Sequence, residues 1–295
     1  MSETVYYKVG DHTYRIIFAD DKNSTQLLPS SKPFVSEAVN DDELLFSLTV
    51  NDGWRPKEQG SEIGQFDCNG NPHGVYVLSD GSYRIQVSDP GNRQCCLIEM
   101  TPDFRNATLC LNGTYDMRSF GLNNALMMMY AFAGSFRNTI LIHASVVRKD
   151  GYGYLCLGVS GTGKSTHTSL WLKHIAETDL LNDDNPVVRI CDDGVVRVYG
   201  SPWSGKTPCY RNDSAPVGAF LQLKQAPYNK IRQQNVVETF ASIMPSCSLM
   251  KWDKPNYTAV CDTVSAIMQN TKTYLLECLP DEAACRLSYE TIRVV

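Results

Sequence analysis

The residues with the clearest chemistry lie in Gly158–Val159–Ser160–Gly161–Thr162–Gly163–Lys164–Ser165 and the Thr166 that follows. The pattern G-x-x-x-x-G-K-S has the spacing of a phosphate-binding loop. Its glycines let the backbone turn so that successive N–H groups face an anion. Lys164 brings a fixed positive charge to the outer phosphates, and the Ser165 hydroxyl can ligate Mg²⁺. A helix starting here adds the positive end of its dipole. The flanks agree, because Tyr152–Leu157 is an apolar run of strand type and Ser165–Ile175 suits a helix. The expectation is binding of ATP with Mg²⁺, with Gly158, Ser160, Gly161, Thr162, Gly163, Lys164, Ser165 and Thr166 as contacts. Choosing ATP over GTP is beyond the motif.

Phosphoryl transfer also needs groups that hold the metal and handle a proton. Leu180–Leu181–Asn182–Asp183–Asp184 is an apolar run closed by paired carboxylates. After a phosphate loop, one carboxylate can hold Mg²⁺ or its water, and the other can orient or deprotonate a nucleophile. Adjacent carboxylates that both stay charged repel each other, and a metal or an imidazolium relieves this. The plainer alternative is an acidic turn before Asn185–Pro186. Asp192–Asp193, ahead of Gly194 and between two alternating runs, reads as a hairpin turn without chemistry.

His143 and Lys206 complete the candidates. Asp150–Gly151 is a preferred two-residue hairpin turn, so Lys149 faces Tyr152 and Arg148 faces Gly153. The same register sets His143, in the strand Ile140–Arg148, opposite Gly158 at the mouth of the phosphate site. Gly200–Ser201–Pro202–Trp203–Ser204–Gly205–Lys206 forms a shaped loop after a second hairpin. Lys206 can stabilise transferred charge there, or can be a solvated lysine. Arg211 and Arg232 are further cations that nothing in the sequence singles out.

These groups need a scaffold. Residues 1–118 read as a β-rich N-terminal domain, with strands near Val5–Tyr7, Tyr14–Phe18, Leu44–Val50, Gly74–Leu78, Tyr83–Val87, Cys95–Met100 and Thr108–Leu111. Ser79–Asp80–Gly81–Ser82 marks a hairpin, and residues 51–74 look loop-rich. Trp54, Asp67 and His73 there read as turn or packing residues. Residues 119–295 read as the nucleotide-binding domain, with 119–137 a connecting helix. In Phe120–Phe136, Leu122, Leu126, Met129, Tyr130 and Ala133 recur at helical spacing, which predicts an amphipathic helix. The loop's strand is the second arm of a hairpin, so the sheet is expected to be mixed and largely antiparallel, in an α/β (α+β) fold. Strands are expected over Val217–Leu223 and Thr273–Leu279, and helices over Val236–Ile243, Thr258–Asn270 and from Pro280 to about Ser288.

Composition narrows the class. The chain has 295 residues, 43% apolar and 20% charged, with a formal charge of −5. No long charged run points to nucleic acid or a membrane surface. Eleven cysteines, an odd number, contain no C-x-x-C and no zinc spacing with the five histidines. They read as small buried hydrophobes in a reducing cytosol. No signal segment and no apolar run of roughly 20 residues is present.

The order "His143 strand, Asp-Gly turn, GVSGTGKST, short helix, LLNDD, hairpin, GSPWSGK" resembles the HPr serine kinase/phosphoenolpyruvate carboxykinase superfamily over roughly residues 138–290. Within it, the chain is most similar to HPr-kinase-like serine kinases and their bacterial relatives. The resemblance implies a mixed, largely antiparallel kinase core. It also implies Asp183 as the base that takes the hydroxyl proton, His143 beside it, and Asp184 with Ser165 on the metal. The family's C-terminal loop signature for its protein substrate is missing between Pro216 and Val295. The length and the absence of oxaloacetate-binding arginines argue against decarboxylation.

The reading is a cytoplasmic Mg²⁺-ATP-dependent kinase that phosphorylates a hydroxyl, on a protein serine or a small metabolite. Asp183, His143 and Lys206 are its expected catalytic residues. The alternatives are a nucleotide-binding regulatory module without turnover and a carboxykinase-like enzyme. The acceptor is unidentified, and homo-oligomerisation is left open.

Overall fold

The structure, a computed structural model, describes residues 2–68, 71–205 and 207–294. The fold is mixed α/β, with two large mixed sheets and several helices. The chain divides into two compact units, Met1–Ala133 with Met250–Asp253, and Gly134–Leu249 with Lys254–Val295.

The sheet of the first unit contains β1 (Glu3–Val9), β2 (His12–Phe18), β3 (Val35–Ser36), β4 (Ser47–Val50), β5 (Ser61–Cys68), β6 (Asn71–Val77), β7 (Tyr83–Ser88), β8 (Gln94–Met100) and β9 (Asn106–Leu111), in the order β3-β1-β2-β4-β9-β8-β7-β6-β5. β1 and β2 close across Gly10–Asp11, both in the left-handed region. The hairpin expected at Ser79–Ser82 joins β6 to β7, and the Leu78 N–H donates to the Ser82 carbonyl at 2.8 Å. β5 occupies residues expected to be loop. It is an edge strand carrying a bulge between Glu62 and Gly64. Such a strand needs only half of its backbone groups paired and tolerates polar, glycine-containing sequence. His73 is fully buried, and its Nδ1 accepts from the Ser88 N–H at 3.4 Å, a packing role.

α1 (Tyr115–Ser135) begins before the expected Phe120, with Asp116 in its first turn, and ends with Gly134–Ser135. Leu122, Leu126, Met129, Tyr130 and Ala133 are buried, as their spacing predicts, but so are Ala125, Met128, Ala131 and Phe132. The helix is therefore enclosed on most sides, which replaces the amphipathic expectation. Near its start, Arg118 pairs with Asp52 and donates to Asn23 Oδ1 at 2.6 Å and to the Leu111 carbonyl at 3.1 Å. Asp52 Oδ1 also accepts from Asn23 Nδ2 and from the Leu111 N–H, both at 3.1 Å.

The second unit contains β10 (Thr139–Leu141), β11 (Ala144–Lys149), β12 (Tyr152–Leu157), α2 (Lys164–His174), β13 (Asp179–Asp184), β14 (Val187–Ile190), β15 (Val196–Tyr199), β16 (Ser214–Gln225), β17 (Lys230–Gln233), α3 (Val236–Ile243), α4 (Lys254–Asn270), β18 (Lys272–Cys278) and α5 (Glu282–Ile292). The sheet runs β10-β14-β15-β16-β12-β11-β13, and β18 pairs with β16 and β17. Its pairings are antiparallel except β12 with β16 and β16 with β18. Ala144, Val146, Leu155 and Leu157 face a core with α3 and α4 (Ile243, Val260, Val264, Ile267). Val147, Tyr154, Cys156, Ala219 and Leu221 face one with α2 and α5 (Trp171, Cys285, Ile292). Pro255 lies in the first turn of α4 rather than before it, where its missing N–H is harmless.

The expected strand Ile140–Arg148 is two strands. β10 pairs with β14, while β11 pairs with β12 and β13. The chain changes neighbours at Ile142–His143, so the ladder breaks there. Ile142 bridges to Cys247, and the His143 N–H donates to the Ser246 carbonyl at 2.7 Å.

Candidate active site

β11 runs antiparallel to both β12 and β13, so those two strands point the same way. β16 runs parallel to β12, and β18 parallel to β16. The carboxyl ends of β12, β13, β16 and β18 therefore share one edge of the sheet, the usual place for ligand chemistry in an α/β sheet.

The glycine-rich stretch links β12 to α2 at this edge. Gly161 (φ 80°) and Gly163 (φ 107°) hold left-handed backbone that a side chain would strain, and Gly163 caps α2. Lys164 opens the helix and is buried. Its Nζ donates to the carbonyls of Gly158 at 2.8 Å and Val159 at 3.4 Å, which keeps the amine inside the curve of the loop. Ser165 and Thr166 are exposed. Thr168, one turn on, bonds Ser145 of β11 through their hydroxyls at 2.9 Å. Ser145 lies opposite Asp183 in the β11–β13 ladder, so this bond ties the first turns of α2 to the strand beside the carboxylates.

The hairpin register expected from Asp150–Gly151 is the observed one: Lys149 pairs with Tyr152, and Ala144 pairs with Leu157. His143 is the residue just beyond the last rung. Its Nε2 lies 3.2 Å from Asp184 Oδ1. Asp184 Oδ2 accepts from Asn185 Nδ2 at 2.8 Å. Asp183 is only 4% exposed, its backbone paired with Ser145. The structure thus brings together Lys164, His143, Asp183 and Asp184. Lys206 lies outside the described residues, but its loop borders the same place. The Gly205 N–H donates to the Asp183 carbonyl at 2.7 Å, and Ser204 bridges to Asp184. A Cβ at Gly205 would lie 2.6 Å from that carbonyl, so only glycine allows this approach.

Burial is the largest influence on these charges. It pushes the Asp184 carboxyl above its ordinary range, Asp183 adds to this, and His143 and Lys164 only partly oppose it. Burial also pushes His143 down, reinforced by the Lys164 charge and opposed by Asp184. Lys164 is pushed down by burial against the pull of both carboxylates. Acid and bases alike resist charging.

Asn182 is a site residue that motif reading passed over. It is fully buried, and its Oδ1 accepts from the Asp184 N–H at 3.1 Å. Its Nδ2 donates to Ser201 Oγ at 3.1 Å, and Ser201 Oγ donates to the Asn185 carbonyl at 2.6 Å. This clamp fixes the Gly200–Gly205 loop on the end of β13. The available signal was a polar residue inside an apolar strand. Arg211 and Arg232 are engaged elsewhere, with Asp179 at 2.7 Å and with Glu238 at 2.7 Å.

No group of three or more His, Cys, Asp or Glu side chains is placed to hold a metal among the described residues. Among the described residues no helix is long and apolar enough to cross a membrane. No protein-family model matches this chain, and no curated protein sequence matches it.

Proposed function

We propose that the chain is a Mg²⁺-ATP-dependent kinase of the HPr serine kinase/phosphoenolpyruvate carboxykinase type, transferring the γ-phosphate to a hydroxyl of a protein serine or a small metabolite. One observation carries this reading: the His143–Asp184 pair, at 3.2 Å, stands at the sheet edge where the Lys164 loop and Asp183 also lie. A phosphate-side cation and an acceptor-side carboxylate at one edge are what in-line phosphoryl transfer requires.

In this reading the backbone N–H groups of Gly158–Thr166 cradle the phosphates, and Lys164 neutralises charge on the outer ones. Ser165 and Asp184 would hold Mg²⁺, which supplies further neutralisation of the phosphate oxygens when bound. Asp183 accepts the proton of the acceptor hydroxyl as its oxygen bonds to the γ-phosphorus and the bond to the β-phosphate oxygen breaks, releasing ADP. His143 orients Asp184, and Lys206 stabilises charge from its loop. Positioning and electrostatics supply most of the rate. The Asn182 clamp supports this reading by fixing the carboxylates on rigid backbone.

The test is incubation with γ-labelled ATP, Mg²⁺ and cell extract. Label should pass to a protein or a metabolite with the wild-type chain. Asp183→Ala should stop transfer while ATP binding by calorimetry persists, and Lys164→Ala should weaken binding itself. Undiminished transfer by Asp183→Ala removes the proposed base.

A further inference from the structure

The first unit contains a cleft that the kinase reading does not use. β2, β4 and β9 run parallel to one another. Arg15 pairs with Ser47, and Ser47 pairs with Asn106, so the three residues form one row across three strands. Paired residues of neighbouring strands share a face of the sheet. This row, with the chain before β4 and the chain before β9, lines a cleft of about 280 Å³. That is smaller than the sites of drug-sized ligands, about 300–1,000 Å³. Leu44 and Phe46, both buried, supply its apolar lining.

The charged groups of the cleft are two cations and two carboxylates: Arg15 and Arg105, Asp41 and Asp103. The protein uses only part of each. Arg15 donates from Nη1 to Asp41 Oδ1 at 2.7 Å and from Nε to Ser47 Oγ at 3.1 Å. Arg105 donates from Nη2 to the carbonyls of Asp41 at 3.2 Å and of Asp42 and Leu44 at 3.4 Å. Asp103 Oδ1 accepts from Thr101 Oγ1 at 2.5 Å and from the Arg105 N–H at 3.1 Å. Among the described residues, no side chain donates to Asp103 Oδ2, and none accepts from Arg15 Nη2 or from Arg105 Nε and Nη1.

We infer that this cleft binds a free α-amino acid as its zwitterion. The formal charges of the cleft cancel, so a simple anion meets two carboxylates and a simple cation meets two guanidiniums. A ligand carrying both signs a few bonds apart satisfies both sets. The remaining guanidinium N–H groups suit a carboxylate, which can accept two parallel bonds. The open Asp103 oxygen suits an ammonium, which only donates. Leu44 and Phe46 suit a short apolar side chain, and the small volume matches a ligand of this size. Every residue named lies in the first unit, so the inference stands apart from the kinase reading.

The experiment is calorimetry on the full chain with the common L-amino acids, each in turn. At least one should bind. Its N-acetyl form lacks the ammonium and its carboxamide form lacks the carboxylate, and each should bind at least about tenfold more weakly. Asp103→Asn keeps an oxygen for Thr101 and the Arg105 N–H but removes the charge. It should weaken the free amino acid about tenfold and leave the N-acetyl form unchanged. Arg105→Gln should weaken the free amino acid by a similar factor and leave the carboxamide form unchanged. Arg105 also holds the Asp41–Leu44 segment, so Asp103→Asn decides the matter if Arg105→Gln does not fold. Binding of no amino acid overturns the inference, as does binding of acetate or methylamine as tightly as the zwitterion. Wild-type affinity in Asp103→Asn overturns it, and so does an equal loss for the free and N-acetyl forms.

Discussion

Each unit holds a partly buried carboxylate beside basic groups, and the two are wired differently. In the first unit, burial raises the Asp52 carboxyl, but Arg118, the Leu111 N–H and Asn23 together hold it below its ordinary range. Arg118 is itself engaged with Asn23 and the Leu111 carbonyl, so the circuit closes within the protein. In the second unit, Asp184 is held above its ordinary range, while His143 and Lys164 are held below theirs. This circuit stays open. A closed cluster of charge stabilises a fold, whereas an open one is suited to charge that arrives with a ligand.

The largest effect should come from opening the contrast at its reactive end. Asp184→Asn should lower phosphoryl transfer by about 1,000-fold and leave the urea midpoint of the chain unchanged or raised. A large drop in stability would mean that Asp184 works as Asp52 does. The converse variant, Asp52→Ala, leaves the partly buried Arg118 without its carboxylate. It should cost about 3 kcal/mol in urea unfolding, with ATP affinity retained; loss of nucleotide binding at constant stability would break the comparison.

Acid provides the mildest probe. The folded-state pKa of Asp52 is depressed, so its contribution is complete above the unfolded value, about 3.9, and is lost as pH falls through the folded value. The stability difference between wild type and Asp52→Asn should therefore be constant from neutral pH to about pH 5 and shrink below about pH 4. A difference that grows in acid would reverse the assignment.

Local chemistry made some of this site legible and left the rest hidden. Asp150–Gly151 sets the hairpin register through its turn alone, so the rung of Ala144 with Leu157, next to His143, follows from a dipeptide. The Lys164 loop is legible because its turn depends on Gly161 and Gly163, whose left-handed backbone is announced by residue type. The break at Ile142–His143 was not legible, because it arises when β10 chooses β14 and the His143 N–H finds Ser246, a partner far along the chain. Asn182 was passed over for the same reason: its partner Ser201 lies beyond another hairpin. β17, a short polar edge strand, carries too little apolar alternation to be recognised before β18 is known.

The break in the β10–β11 strand has a mechanical consequence. A ladder would have anchored the His143 amide within the central sheet. Instead it hangs from Ser246, and Leu141 receives the Ser248 N–H at 2.9 Å. The His143 backbone is therefore held by a loop about a hundred residues further along the chain, whereas Asp184 is held by Asn182 on its own strand. A substitution that shifts the Ser246 carbonyl would move the imidazole and leave the strand that carries Asp184 in place.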